Sequence, residues 1–249
     1  MTSRPPSAYG GHFDRLATRY DELRGEGARQ SLSTMVRLGD LAGRRVLDVA
    51  CGTGRTAAAL AAEHGATVTA VEGSPEMAGV ARERAPEGVT VIQARAEALP
   101  FADAAFERVT MEEAVHLVDR ARALPELARV LEPGGLAAVR TVDPAGCERF
   151  WLAPLFPSYV AIDSARFPPP ALLADELVAA GFESARAEPS PLVLRYPRER
   201  ALELLHGRFA SSFALMDEAE VGAGIERAER ELPEVVETTL ELVILVAER

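Results

Sequence analysis

Residues 45–57 read RVLDVACGTGRTA. A short apolar run carries an acid at Asp48, meets a turn holding Gly52 and Gly54, and passes into a helix of small residues. A strand, a glycine turn and a helix in that order are the opening unit of a parallel α/β sheet. The two glycines let the chain turn tightly and let a ligand approach the backbone, where any Cβ would collide with it. In an open α/β sheet, ligands sit at the carboxyl ends of the strands where the strand order reverses, beside the first strand. The turn from Ala50 to Gly54 lies at that place.

The pattern continues on both sides. Ser31 to Leu41 has the periodicity of a helix, Arg45 to Ala50 that of a buried strand, and Arg55 to His64 is an alanine-rich helix. Thr67 to Glu72 reads as a strand, and Ser74-Pro75 opens the next helix with an N-cap followed by proline in the first turn. Val89 to Gln93 and Phe106 to Thr110 are further strands. Arg120 to Val130 is helical and stops at the turn signal Glu132-Pro133-Gly134-Gly135, ahead of a fifth strand from Leu136 to Val142. This alternation predicts a Rossmann-like, doubly wound and mostly parallel α/β sheet with helices on both faces.

Beyond the fifth strand the pattern loosens. Asp143 to Pro170 is rich in proline and carries Phe150, Trp151, Phe156, Tyr159 and Phe167, too apolar for a linker, and reads as a packed irregular insertion. Ala171 to Ala180 is a helix ended by Gly181. Ser184 to Tyr196 reads as one strand, which Pro189 and Pro191 confine to an edge or a bulge. Pro197 to Val236 is mostly helical, and Thr238 to Ala247 closes the chain as one strand. We read one domain over residues 1–249: a helical cap (1–42), a ligand-binding core (43–142), and a substrate-side insertion with lid helices and closing strands (143–249).

The 249 residues carry a formal charge of −11 and 48% hydrophobic residues. A nucleic-acid surface needs clustered positive charge to displace counterions, so DNA and RNA are not expected partners. All 27 basic residues are arginine. A chain without lysine forms no Schiff base with pyridoxal phosphate and supplies no P-loop lysine. Cys51 and Cys147 lie 96 positions apart, which is neither a disulfide framework nor a metal knuckle. With no signal segment and no apolar run near the ~18 residues that span a bilayer, a reduced, cytoplasmic protein without a metal or a membrane contact is expected.

Glu72 follows Gly54 by 18 residues and ends the second strand. A carboxylate there accepts both hydroxyl hydrogens of a ribose, so the turn expects a nucleoside. The spacing Gly52-x-Gly54-x-x-Ala57 also admits a dinucleotide and hence a nicotinamide oxidoreductase. Asp48 weighs against a pyrophosphate, which it would repel, and suits a cationic ligand. The alternative for Asp48 is that it caps backbone amides of the turn.

VLDVACGTGR (46–55) resembles the first motif of the class I S-adenosylmethionine-dependent methyltransferases, and further segments match in order. VTAVEGSPEM (68–77) resembles the second-strand acid and helix start, QARAEALPFADAAFERV (93–109) the adenine-side segment, and LARVLEPGGLAAV (127–139) the helix, turn and fifth strand. FDRLATRYDELRG (13–25) resembles the cofactor-covering helix of the small-molecule subgroup. The resemblance spans roughly residues 12–142. It implies a seven-stranded sheet with an antiparallel last strand, and S-adenosyl-L-methionine as cofactor. It further implies that Asp48, Ala50, Gly52 and Gly54 line the methionyl part, that Glu72 with Gly73 holds the ribose, and that Met77, Ala96 and Glu97 flank the adenine. Tyr20 would close over the carboxylate end, and Met111, after the fourth strand, would also contact the cofactor. Arg95 departs from the family, which often has Asp or Asn there; arginine has only donors, so adenine contact falls to backbone groups.

Methyl transfer from a sulfonium is an in-line displacement that needs alignment and, for a hydroxyl acceptor, a route for the proton. MEEAVHLVD (111–119) resembles the family segment that usually carries a histidine, here His116, a candidate general base or a packed structural histidine. Candidates for substrate contact are Glu112 and Glu113 after the fourth strand, Trp151 in the insertion, and Tyr9, His12 and His206 at the two ends of the chain. The expected reaction is methyl transfer to the O or N of a small, fairly apolar molecule by a monomer or homodimer. A protein that binds the cofactor without moving its methyl, an accessory subunit or a rearrangement catalyst, is the alternative.

Overall fold

The computed structural model describes residues 11–24 and 27–249. Five parallel strands form first: β1 (Arg45–Val49), β2 (Thr67–Glu72), β3 (Val89–Gln93), β4 (Phe106–Glu112) and β5 (Leu131–Val142). Helices α3 (Gly27–Gly39), α4 (Arg55–His64), α5 (Pro75–Arg84) and α6 (Arg120–Val130) precede or separate them, after two short helices α1 (His12–Leu16) and α2 (Tyr20–Arg24). The insertion supplies α7 (Tyr159–Arg166) and α8 (Pro170–Ala179), followed by β6 (Ser184–Pro189) and β7 (Leu192–Pro197). Helices α9 (Arg198–His206) and α10 (Glu218–Glu231) lead to β8 (Val235–Leu240) and β9 (Leu242–Glu248).

The seven-stranded sheet has the order β3-β2-β1-β4-β5-β9-β6, with β9 antiparallel to both neighbours. Strand order reverses between β1 and β4, which opens the cleft at their carboxyl ends. The central strands β1, β4 and β9 and the second half of β5 are buried on both faces. In β1, Leu47 and Val49 join the core formed with α6 and α8, whereas Val46 joins the core on the opposite face, with α3 and α4. Val243, Leu245 and Ala247 of β9 go to the first core and Ile244 and Val246 to the second, the alternation that a doubly covered strand requires.

Four elements differ from the sequence reading. β5 begins at Leu131, because the expected turn Glu132–Gly135 is absorbed as a bulge: Leu131 stands opposite Phe106 and Leu136 opposite Arg108. The expected single strands over 184–196 and 238–247 are each divided. β6 pairs with β9 in the large sheet, while β7 pairs with β8 in a separate two-stranded sheet. The pairing keeps one register across the break, with Pro189 opposite Val243 and Leu192 opposite Leu240. One antiparallel ribbon therefore bends at Ser190-Pro191, where the proline removes a ladder donor. As expected from Pro189, β6 is an edge strand. The cap helix expected from residue 13 onward is two short helices.

The bent ribbon, the insertion and α9–α10 enclose a third core of their own, containing Phe150, Trp151, Phe156, Phe213 and Leu232. Phe156 is fully buried and meets Phe213 edge-on at 5.2 Å. Among the described residues, no helix is long and apolar enough to cross a membrane. Because Phe156 belongs to the third core only, Phe156→Ala should cost about 3–5 kcal/mol. At the size of this chain that lowers Tm by roughly 10 °C in a thermal melt, with little change in ligand affinity at the glycine turn.

Candidate active site

A cavity of about 590 Å³ opens at the carboxyl ends of β1, β2 and β4. Its inner wall is the β1–α4 turn. Ala50, Gly52 and Gly54 all have left-handed backbone, with φ of 57°, 58° and 78°. Gly54 is fixed by close packing: a Cβ there would lie 3.1 Å from the Ala81 Cβ. At Gly52 a Cβ would meet no protein atom within 4 Å, and Gly52 lines the cavity, so the unfilled space beside it is available to a ligand.

Glu72 joins this turn to the next. Its Oε2 accepts the Gly52 amide at 2.8 Å and its Oε1 the Ser74 amide at 2.8 Å. Each oxygen keeps a lone pair for a further donor. Burial raises the Glu72 carboxyl above its usual range, against the lowering by these amides. Ser74 also caps α5 by accepting the Met77 amide at 3.2 Å.

Asp48 is buried and does not line the cavity. It stands opposite Thr110 across β1 and β4, and its Oδ1 accepts the Thr110 hydroxyl at 2.9 Å; Oδ2 has no hydrogen-bond partner. Burial raises the carboxyl to about 7, opposed by the Thr110 hydroxyl and the Ala57 amide and reinforced by Glu112 and Glu72. Asp48, expected to line the methionyl part, thus lies one layer behind the cavity wall, and its hydrogen bond is to Thr110 rather than to an amide of the turn.

Tyr20, Ala50, Gly52, Glu72, Gly73, Met77, Ala96 and Glu97 come together on the cavity, whereas Gly54 and Met111 lie in the packing behind it. Arg95 also lines the cavity and is ion-paired with Glu97 at 3.2 Å. Glu112 and Glu113 line it too, but both carboxylates are held by Arg140, which is 1% exposed; Thr56 further donates to Glu112 at 2.6 Å. Their charge is met from inside the protein. His116 lines the cavity with its ring 4.3 Å from the Phe167 ring, and His12 lines it from α1.

Two expected substrate contacts lie elsewhere. Trp151 is one layer out, stacked on Phe209 at 6.0 Å, and it is Phe209 that faces the cavity. His206 is on the exterior, 3.2 Å from Glu229, because α9 turns that face to solvent. Tyr9 lies outside the described residues. Among those residues no group of three or more His, Cys, Asp or Glu is placed to hold a metal ion.

The sequence reading missed two groups of residues. Asp14 accepts the Ser74 hydroxyl and Asp21 the Thr53 hydroxyl, each at 2.6 Å, which ties the two cap helices across the cavity to the cofactor-side loops. Two acids within the segment 13–25 were a usable signal. Tyr159, Asp163 and Arg166 line the outer half of the cavity from α7. Their i, i+4 and i, i+3 spacing on one helix face was legible, but nothing marked the face as pointing to a ligand.

Residues 47–139 match a family described as "Methyltransferase domain". "Methyltransferase GfsG" of Streptomyces halstedii is 41% identical over 132 residues, covering 51% of this chain and 48% of that protein. The chain spans about half the length of the curated relatives it matches. Among solved structures, the [4+2]-cyclase SpnF superposes with a TM-score of 0.67 at 20% identity, covering 100% of this chain and 98% of that one. A phosphoethanolamine N-methyltransferase 2 of Haemonchus contortus, in complex with S-adenosylhomocysteine, gives 0.65 at 19% identity, covering 100% and 60%. At such identities these likenesses show the fold.

The backbone of the turn sets a contrast between its two glycines. Gly54→Ala forces α5 away from the turn and should lower Tm clearly. Gly52→Ala costs only the left-handed strain of about 1–2 kcal/mol. Because its methyl enters the unfilled space, calorimetric titration should show the affinity for S-adenosylhomocysteine falling at least tenfold.

Proposed function

From a chain whose residues 47–139 belong to the methyltransferase family, we propose methyl transfer from S-adenosyl-L-methionine to an oxygen or nitrogen of a small-molecule acceptor. The observation that carries the reading is one continuous cavity with two unlike halves. The β1, β2 and adenine-side loops give a nucleoside-sized half with an acid, Glu72, at its centre. The outer half is walled by Phe150, Phe167, Phe209, Leu152 and Val142.

The residues present fit the cofactor. Glu72 holds unused acceptor capacity toward the cavity, and the space beside Gly52 admits a ligand against the backbone. Ala96 and Met77 supply apolar flanks, and Tyr20 with Phe13 covers the site from the cap. The bound cofactor supplies a methyl group on a cationic sulfur. The chain aligns acceptor and donor, excludes water with the cap and α7, and offers His116 beside the outer half to take a proton from a hydroxyl acceptor. Incubation with methyl-labelled S-adenosylmethionine and a panel of apolar hydroxy and amino compounds should label at least one of them. Failure to bind either S-adenosylmethionine or S-adenosylhomocysteine at millimolar concentration would end this reading.

The likeness in fold to a [4+2]-cyclase favours one second reading, in which the loaded cavity shapes a rearrangement and the methyl stays on the cofactor. Binding of the cofactor with persistent failure of label transfer, and conversion of a polyene substrate, would select it.

The buried acid ties cofactor affinity to pH. In the empty protein Asp48 has a carboxyl raised to about 7, so as pH falls through 7 it takes up a proton. A cationic sulfonium favours the ionised form, so binding below that pH must release the proton. The affinity for S-adenosylmethionine should therefore fall by up to about tenfold per unit below pH 7 and level off above it. S-adenosylhomocysteine, with its uncharged sulfur, should give a shallower slope, and Asp48→Asn should flatten most of it. Titration calorimetry from pH 5.5 to 8.5 reads all three.

A further inference from the structure

The outer half of the cavity is not uniformly apolar. Asp163 on α7 is 4% exposed and accepts from the Arg166 Nε at 2.7 Å. The Arg166 Nη1 donates to the Ser211 hydroxyl at 2.7 Å, and its guanidinium lies 4.6 Å over the Phe167 ring. Asp163, Ser211 and the ring thus hold the guanidinium at a fixed place on the cavity wall. Its Nη2 has no hydrogen-bond partner among the described residues.

A second observation comes from the cap. His12 is 5% exposed, lines the same cavity, and its Nε2 is buried without a partner. Its imidazole is held neutral, at about 4, first by burial and then by Arg15, Arg166 and Arg208. Three arginines therefore stand near His12, of which Arg166 is paired with Asp163 and Arg208 with Glu218. A buried polar atom without a partner is costly unless a ligand supplies one. A guanidinium on the cavity wall with its Nη2 unused disfavours an ammonium group and favours an oxyanion, and its planar shape suits one.

We propose that Arg166 and His12 form an acceptor subsite for the anionic oxygen of an apolar acid, with Arg166 as the charge partner and the His12 imidazole as a hydrogen-bond partner. The acceptor class is an unsaturated or aromatic molecule bearing a carboxylate or a comparably acidic oxygen; Phe150, Phe167 and Phe209 take its apolar body. This deepens the methyl-transfer reading of the cavity and rests on it. Asp163 and Ser211, which also border the cavity, are positioning residues that hold the guanidinium.

The test is titration calorimetry on the full chain saturated with S-adenosylhomocysteine, using 2-naphthoate, 2-naphthamide and 2-naphthylmethylamine as matched anionic, neutral and cationic probes. The naphthoate should bind at least tenfold more tightly than either of the others. Arg166→Gln alone strands a buried carboxylate, so the double variant Asp163→Asn/Arg166→Gln removes both charges together. It should bring naphthoate down to the affinity of the amide while leaving S-adenosylhomocysteine binding and the thermal melt near wild type, and His12→Phe should weaken naphthoate severalfold. Equal binding of the three probes, undetectable binding of all three, or an undiminished preference for naphthoate in the double variant overturns the proposal. Failure of S-adenosylhomocysteine to bind the wild type would instead overturn the methyl-transfer reading, and the probe series run on the unloaded protein would still read the subsite.

Discussion

The Glu72 carboxylate is the joint on which the site is built. It accepts one amide from the β1–α4 turn and one from the turn after β2, so two loops that share no sequence are fixed to the same two oxygens. The cost of burying that acid is met by directed amides, and their geometry leaves the remaining lone pairs facing the cavity. The left-handed residues of the first turn make this possible, because they turn the Gly52 amide toward β2. A carboxylate satisfied in this way is stiff before any ligand arrives, which reduces what ordering the site costs on binding.

A second set of polar and charged groups lies at and behind the cavity wall. Asp48, Thr110, Glu112 and Arg140 occupy paired positions on β1, β4 and β5, with Asp48 opposite Thr110 and Glu112 opposite Arg140. The buried Arg140 is paired with Glu112 and Glu113. Asp48 is left with a hydroxyl, the Ala57 amide and the repulsion of its neighbours, which is why it is the group pushed toward neutrality. The arrangement assigns the residual demand for positive charge to the side of the sheet where the ligand enters.

The core was legible because its strands and helices are local and periodic, and because the glycine turn and Glu72 occupy fixed places in that pattern. The carboxyl-terminal third was less legible for a physical reason. The ribbon of 184–197 and 235–248 keeps one register through its bend, so each half has the apolar alternation of a single strand. Only Pro191, lacking a ladder donor, and Glu241 opposite it mark the place where the ribbon leaves one sheet for another. At the site, Glu112 and Glu113 looked free because nothing in sequence shows that Arg140 reaches them. Trp151 was expected at the cavity from the aromatic insertion and His206 from its place toward the end of the chain, but helix phase and packing put Phe209 in the place anticipated for the first and solvent beside the second.

Charge is divided along the cavity. Asp14, Glu72 and the Asp48 behind them stand at the nucleoside half, and Arg166 with the arginines around His12 at the outer half. A cationic donor and an anionic acceptor entering such a cavity are each drawn to a different end. Their mutual attraction then acts along the line between the halves, which is the line an in-line displacement needs. The transferred methyl takes the charge of the pair toward neutrality, so the electrostatic hold on both products is weaker than on the reactants. In the proposed reaction the same field would order the reactants and favour release once transfer is complete.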